Sequence, residues 1–333
     1  MMDTFVHSYP LEQRAIQRPL DPLVSCIIPA YNEESNIVPM LQTLHRVLST
    51  AGYRHELLVV DDGSQDDTVK RVCSETIGLP VTLIQLSRNF GKEMALTAGI
   101  DHAQGDVAVL IDCDFQHPPE RVPEFLRQWR NGYDMVYSVR PYRGHQRLAT
   151  RLFTRTFYAL VNSGTAHKIP QNTQDFRVLD RCVLDALRQM PERNRFMKGL
   201  YNWVGFSQLA LEIEYQERRA GTSSFNFRRL LSLGMTGMTA FSNMPLRIWT
   251  LLGSCISLLA IAYAGWAFLR TQLFGNPLSG WLTLTVAITF LCGVQLLSIG
   301  ILGEYIGRIF NEVKQRPTYL ISKITRFNEP GKP

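Results

Sequence analysis

No Gly-x-Gly-x-x-Gly and no Gly-x-x-x-x-Gly-Lys-Ser/Thr follows any strand-like segment of this 333-residue chain. That argues against a dinucleotide fold and a P-loop ATPase, so a nucleotide would have to be held by other means. The six cysteines, Cys26, Cys73, Cys113, Cys182, Cys255 and Cys292, show no Cys-x-x-Cys spacing and read as reduced structural residues. The first twenty residues lack an apolar signal-peptide core, and no signal peptide is expected. Internal repeats, low-complexity tracts and long linkers are also missing. Charge is absent from two stretches, 248–269 and 281–303.

Each uncharged stretch is about 22 residues long, enough to cross a hydrocarbon core of roughly 30 Å, and each is expected to be a transmembrane helix. Trp249, Trp266 and Trp281 lie near the ends, where interfacial anchors belong. Arg218, Arg219, Arg228, Arg229 and Arg247 precede the first span, and Arg308, Lys314, Arg316, Lys323 and Arg326 follow the second, whereas the connecting loop has only Arg270. Both termini are therefore expected in the cytoplasm. Before the first span, Phe227, Leu230, Leu231, Met235, Met238 and Phe241 recur at helical spacing. Such a segment can lie in the headgroup plane or pack on a soluble domain, and the adjacent arginines favour the membrane surface. The net charge of +6 comes largely from these flanks, which makes anionic lipid, not nucleic acid, the expected partner.

The first half reads as strands alternating with helices. Strand-like runs occupy Val24–Pro29, Leu57–Val60, Val81–Leu86 and Val107–Ile111, with helical spacing over Asn36–Leu48, from Asp67, and over Lys92–Ala103. That order predicts an α/β unit with a mostly parallel sheet. Asp112-Cys113-Asp114 then falls just past a strand end, on the edge where open α/β sheets bind ligands. Two carboxylates one residue apart suit a hard cation, Mg²⁺ or Mn²⁺, that holds a nucleotide diphosphate. Pro29-Ala30-Tyr31-Asn32-Glu33 and Asp61-Asp62-Gly63-Ser64 end strands on the same edge. Asn89, Gly91 and Lys92 open a helix, so backbone donors and one ammonium can face the nucleotide.

The segments Val24–Glu34, Val60–Ser64, Ser87–Glu93 and Asp112–Glu120 resemble the ordered signatures of family 2 glycosyltransferases with the GT-A fold. Thr173-Gln174-Asp175-Phe176-Arg177 and the membrane-spanning tail resemble the polyprenyl-phosphate members, the group of GtrB-type and ArnC-type enzymes and dolichyl-phosphate mannose synthase. The resemblance implies an N-terminal extension (1–23), a GT-A domain (24–225), a juxtamembrane amphipathic segment (226–247), two transmembrane helices (248–269 and 281–303) and a cytoplasmic basic tail (304–333). It implies a hexose transferred with inversion from a UDP-sugar to undecaprenyl phosphate at the bacterial cytoplasmic membrane. It also allows a homo-oligomer.

By the same resemblance Gln116 joins Asp112 and Asp114 as a metal ligand, and Pro29, Tyr31, Glu33, Asp61 and Asp62 line the nucleotide pocket. Basic side chains near the membrane should bind the acceptor phosphate, and Arg140, Arg143 and Arg218 are candidates, while Arg177 can serve the acceptor or the donor diphosphate. Asp175 is the candidate catalytic carboxylate, acting to orient the acceptor or as a general base; a helix N-cap is its alternative structural role. One departure from the family pattern is Ser224-Phe225, where members commonly have Lys-Tyr. Glucose is the first-choice sugar, with N-acetylhexosamine, aminoarabinose and mannose as alternatives. A processive synthase is disfavoured because the chain lacks Gln-x-x-Arg-Trp, and a non-catalytic nucleotide-sugar-binding scaffold is the reading from a different class.

Overall fold

A computed structural model of the chain describes residues 10–140, 173–193, 195–213 and 280–327, with separate positions between 253 and 273. It divides into two compact units, one holding every described strand and the other the long helix near the C-terminus.

In the first unit the apolar runs form β1 (Leu23–Ala30), β2 (Arg54–Asp61), β3 (Val81–Leu86) and β4 (Val107–Leu110), four adjacent parallel strands in the order β4-β1-β2-β3. All of β4 is buried, as a strand covered on both faces must be. The connections are α2 (Ile37–Thr50), α3 (Thr68–Glu75) and α4 (Lys92–His102). Ile37, Met40, Leu41, Leu44 and Leu48 of α2 recur at helical spacing and bury one stripe against the sheet. Gly99 lets α4 come close, since a Cβ there would lie 2.2 Å from Ile27 Cγ2.

Beyond β4 the direction reverses. α5 (Val122–Arg130) leads to β5 (Met135–Val139), and β6 (Thr173–Asp180) lies between β5 and β4, antiparallel to both. α6 (Arg181–Arg188) and α7 (Met197–Trp203) follow, and β7 (Gln208–Glu212) pairs parallel with β5. The β4·β6 ladder runs from Val107↔Asp180 to Leu110↔Arg177. Past the end of the ladder Asp112 and Asp175 come together at the same edge, where one ammonium, that of Lys92, touches both. The fold thus puts both carboxylates within reach of one side chain at the sheet edge.

Three expectations change. Asp175 is not a helix cap: it lies within β6, and the cap belongs to Asp180, which accepts the Cys182 N–H at 2.9 Å at the start of α6. The segment expected as a basic tail contains β8 (Ile321–Arg326), which pairs antiparallel with β3 and closes the sheet as its eighth strand. The second apolar stretch does not end at Gly303; its helix, α8 (Trp281–Val313), continues until Gln315 turns left-handed at φ 51° ahead of Pro317. Among the described residues one helix segment, Phe290–Val313, is long and apolar enough to cross a membrane. The described positions between 253 and 273 are helical, whereas the amphipathic segment 226–247 lies outside the described residues.

The N-terminal extension also joins the first unit. α1 (Leu11–Gln17) presents Arg14 to Asp134 at 2.5 Å, and Arg18 bonds both Asp134 and Asp180. Asp180 accepts the Trp129 indole N–H at 2.7 Å as well, so one buried carboxylate ties α1, α5, β6 and α6 together.

Candidate active site

The C-terminal edge of the parallel strands is built from knitted loops. Asn32 adopts φ 55°, which turns the chain after β1 so that its N–H reaches Ser64 Oγ at 2.9 Å while its own Oδ1 accepts the Gln65 N–H at 2.8 Å. Glu33 N–H reaches Thr68 Oγ1, and its carboxylate accepts from Asn36 Nδ2. Gly63, at φ 72°, is required because a Cβ would lie 2.6 Å from the Arg88 carbonyl carbon. Asp61 is buried and accepts the Ser64 N–H, and burial raises its carboxyl above the ordinary range. Asp62 accepts the N–H groups of Phe90 at 2.7 Å and Gly91 at 2.9 Å. Both oxygens of Asp62 therefore shape the loop before α4, and the Gly91 N–H is committed to Asp62. Tyr31 and Asn89 are exposed at the same edge, and Pro29 accepts the Cys113 thiol through its carbonyl.

Past β4, the Asp112-to-Gln116 turn is tight. Phe115 is left-handed at φ 59°, and Asp114 accepts the Gln116 N–H at 3.1 Å. Cys113, between the two aspartates, is buried with its thiol pushed well up by that burial, so it stays protonated. The turn thus offers oxygen donors alone, two carboxylates and an amide, which is the set that fits Mg²⁺ or Mn²⁺. The single three-residue acid and thiol cluster among the described residues, Asp134, Asp180 and Cys182, lies elsewhere, and the arginines from α1 and its C-terminal side neutralise it.

Lys92, the first residue of α4, joins the two sides of the site. Its ammonium lies 2.8 Å from both oxygens of Asp112 and 2.6 Å from Asp175 Oδ2. Lys198 approaches Asp175 Oδ1 at 3.4 Å and also donates to the Thr173 carbonyl. Burial would raise the Asp175 carboxyl, but Lys92, Lys198 and Arg177 together hold it far below the usual carboxylate range. For Lys92 the same contacts outweigh burial and raise its pKa.

Arg177, two residues along β6, is buried with its guanidinium 3.8 Å over the Tyr201 ring. One Nη donates to the Gln174 carbonyl, while among the described residues Arg177 Nε and the Tyr201 hydroxyl have no hydrogen-bond partner. His117 stacks on Phe176, and burial lowers its pKa despite the nearby aspartates. Glu93 accepts the Met197 N–H at 3.1 Å; burial first, then Asp175, pushes its carboxyl up to about 7.

The structure thus brings Asp112, Lys92 and Asp175 into contact, with Arg177 beside Asp175 on the same strand. Arg140 is exposed at the end of β5, and Arg143 and Arg218 lie outside the described residues, as do Ser224 and Phe225. Sequence reading missed Glu93, Lys198, Tyr201 and His117 as members of the site. Glu93 and His117 stand inside family-like motifs, and Lys198 inside the GtrB-like stretch Arg195-Phe196-Met197-Lys198-Gly199, whereas nothing marks Tyr201 before the fold sets its ring under Arg177.

Residues 25–188 match the family model for glycosyl transferase family 2, and residues 244–309 match that of the GtrB C-terminal hairpin. An uncharacterized glycosyltransferase of Synechocystis sp. is 44% identical over 90% of this chain and 95% of its own length. The SfII prophage-derived bactoprenol glucosyl transferase of Shigella flexneri is 41% identical over 92% of this chain and 99% of its own. The putative glycosyltransferase CsbB of Bacillus subtilis is 39% identical over 90% and 92%.

The Glu93 environment has a consequence for stability. Because its folded carboxyl titrates near 7, above that of an unfolded glutamate, the folded chain holds a proton that the unfolded chain has lost. Stability therefore falls as pH rises toward 7. Glu93→Gln keeps an acceptor for Met197 and removes this slope. In thermal unfolding the variant should melt above the unsubstituted protein at pH 8, with the gap closing by pH 5; equal gaps at both pH values would contradict the assignment.

Proposed function

The chain belongs to glycosyl transferase family 2, and from that premise we propose that this glycosyltransferase moves glucose from UDP-glucose to undecaprenyl phosphate, with inversion, at the cytoplasmic membrane face. What supports the reading most is the likeness to the Shigella flexneri bactoprenol glucosyl transferase, which runs through the catalytic unit and the hairpin alike. A Mg²⁺ or Mn²⁺ ion on Asp112, Asp114 and Gln116 would neutralise charge as UDP departs. Pro29, Tyr31, Glu33, Asp61, Asn89 and Gly91 sit along the edge assigned to the nucleotide, with Asp62 holding its loop.

In the transfer, an acceptor phosphate oxygen bonds to the anomeric carbon while the bond from that carbon to the UDP oxygen breaks, and the electron pair leaves with UDP. No proton has to be removed, because a phosphate monoester has a second pKa near 6. Asp175 suits that chemistry as a positioning residue. A carboxylate held far below its usual range by two ammoniums and a guanidinium is a weak base, but it keeps those cations in place for an anionic acceptor. Arg177, whose Nε faces no protein acceptor among the described residues, is our first candidate to bind the acceptor or donor phosphate. Arg140, Arg143 and Arg218 belong to the same proposal.

Incubating membranes with a panel of UDP-sugars and undecaprenyl phosphate, then weighing the lipid product, tests the donor. Glucose should be transferred in preference to N-acetylglucosamine, aminoarabinose and mannose donors; EDTA should stop the transfer, and Asp114→Asn should nearly abolish it in a folded protein. Transfer undiminished in EDTA contradicts the metal assignment.

Asp175→Asn should raise the apparent KM for polyprenyl phosphate and leave a measurable rate at saturating lipid. If the maximal rate falls by several orders of magnitude with the lipid KM unchanged, Asp175 is a base instead.

We also propose that the two apolar stretches form a two-pass hairpin with both termini in the cytoplasm, supported by the match to the GtrB hairpin and by the basic flanks. A reporter inserted at Asn276 should score external and one fused at Lys332 cytoplasmic. The reverse pattern would put the acceptor arginines on the wrong side.

A further inference from the structure

Lys92 touches the carboxylate that the proposed reading gives to a divalent ion. An ammonium 2.8 Å from both oxygens of Asp112 fills the face through which that carboxylate would bind a metal, so the two cations exclude each other there. Resting on the proposed function, we propose that Lys92 is a tethered cation that competes with the divalent ion for Asp112, and that the donor diphosphate resolves the competition by giving the ammonium another anion. Metal and nucleotide then bind cooperatively.

Three features fit this role better than a static ion pair. The root of the side chain is fixed, because Asp62 holds the N–H groups of Phe90 and Gly91 immediately before it, while the four-carbon stem remains free to swing. The Lys92 side chain is 42% exposed, so its contacts contribute little to stability and its path toward a ligand is open. The two aspartates are also unequal. Asp175 keeps Lys198 when Lys92 moves, whereas Lys92 is the cation on Asp112 among the described residues. Lys92 can therefore leave Asp112 favourably when another cation takes that place, and it can do so without stranding Asp175.

The test is Mn²⁺ binding to the purified full chain in detergent, followed by electron paramagnetic resonance with and without UDP. The unsubstituted protein should bind Mn²⁺ weakly alone and much more tightly with UDP. Lys92→Met should bind Mn²⁺ alone at least about tenfold tighter, as expected when a unit charge is removed a few ångströms from the ligand, and UDP should then add less. Lys92→Arg, which keeps the charge, should stay near the unsubstituted value, and Lys198→Met should raise Mn²⁺ affinity far less than Lys92→Met. Melting curves establish that each variant is folded. Unchanged or weaker Mn²⁺ binding by Lys92→Met without UDP overturns the proposal, as does an equal gain in Lys198→Met. If the unsubstituted protein binds no Mn²⁺ even with UDP, the metal assignment falls and the competition with it; normal Mn²⁺ binding with no Lys92 effect removes the competition alone.

Discussion

The antiparallel docking of β6 against β4 is the constraint on which the site depends. β4 delivers Asp112 and Asp114 past its C-terminal end, and β6 enters the same edge at its N-terminal end, so Asp175 and Arg177 arrive from the opposite direction. The register brings Asp175 to the edge where β4 ends, and a slip of one residue would turn every β6 side chain to the other face. What prevents the slip lies at the far end of the strand. Asp180 caps α6, accepts from Trp129 and pairs with Arg18, and Asp134 on the neighbouring strand's approach pairs with Arg14 and Arg18. A buried network of this kind is weak evidence for net stability, but removing one member leaves charge without a partner, which makes any other register costly.

Given that register, the electrostatics of the edge follow from crowding. Asp112, Asp114, Asp175 and Glu93 converge on a small region, and Lys92, Lys198 and Arg177 offset them. The balance is resolved differently at each carboxyl. Asp175, in contact with two ammoniums, stays ionised throughout the physiological range; Glu93, turned toward buried backbone and repelled by Asp175, shares its proton near neutrality. The same burial has opposite outcomes because the partners differ.

Much of the parallel half was legible in the sequence. An apolar run marks β3 to the residue, and the acidic turns that end β2 and β4 fall together on one edge of the sheet. β6 was hidden because Thr-Gln-Asp-Phe-Arg interrupts the apolar pattern that a buried strand would otherwise show. β8 mixes Ile321 and Ile324 with Lys323 and Arg326 without apolar alternation, the composition of a charged edge strand, and it follows a membrane-like helix, so it reads as a charged tail. The bonds from Lys92 to Asp112 and Asp175 span 20 and 83 residues, and that from Arg14 to Asp134 spans 120. Local pattern cannot announce such pairs. The Lys92–Asp175 pair depends on a strand reversal that becomes visible once β6 is recognised.

The charge state of Asp175 also bears on which acceptors the site can serve. A sugar hydroxyl must lose a proton as it attacks, and a carboxylate stabilised in its ionised form by three cations gains little by taking that proton. A phosphate arrives already ionised and needs cations instead, which this edge supplies through Lys198 and Arg177. The arrangement that makes Asp175 a poor base thus favours an acidic nucleophile over a neutral one.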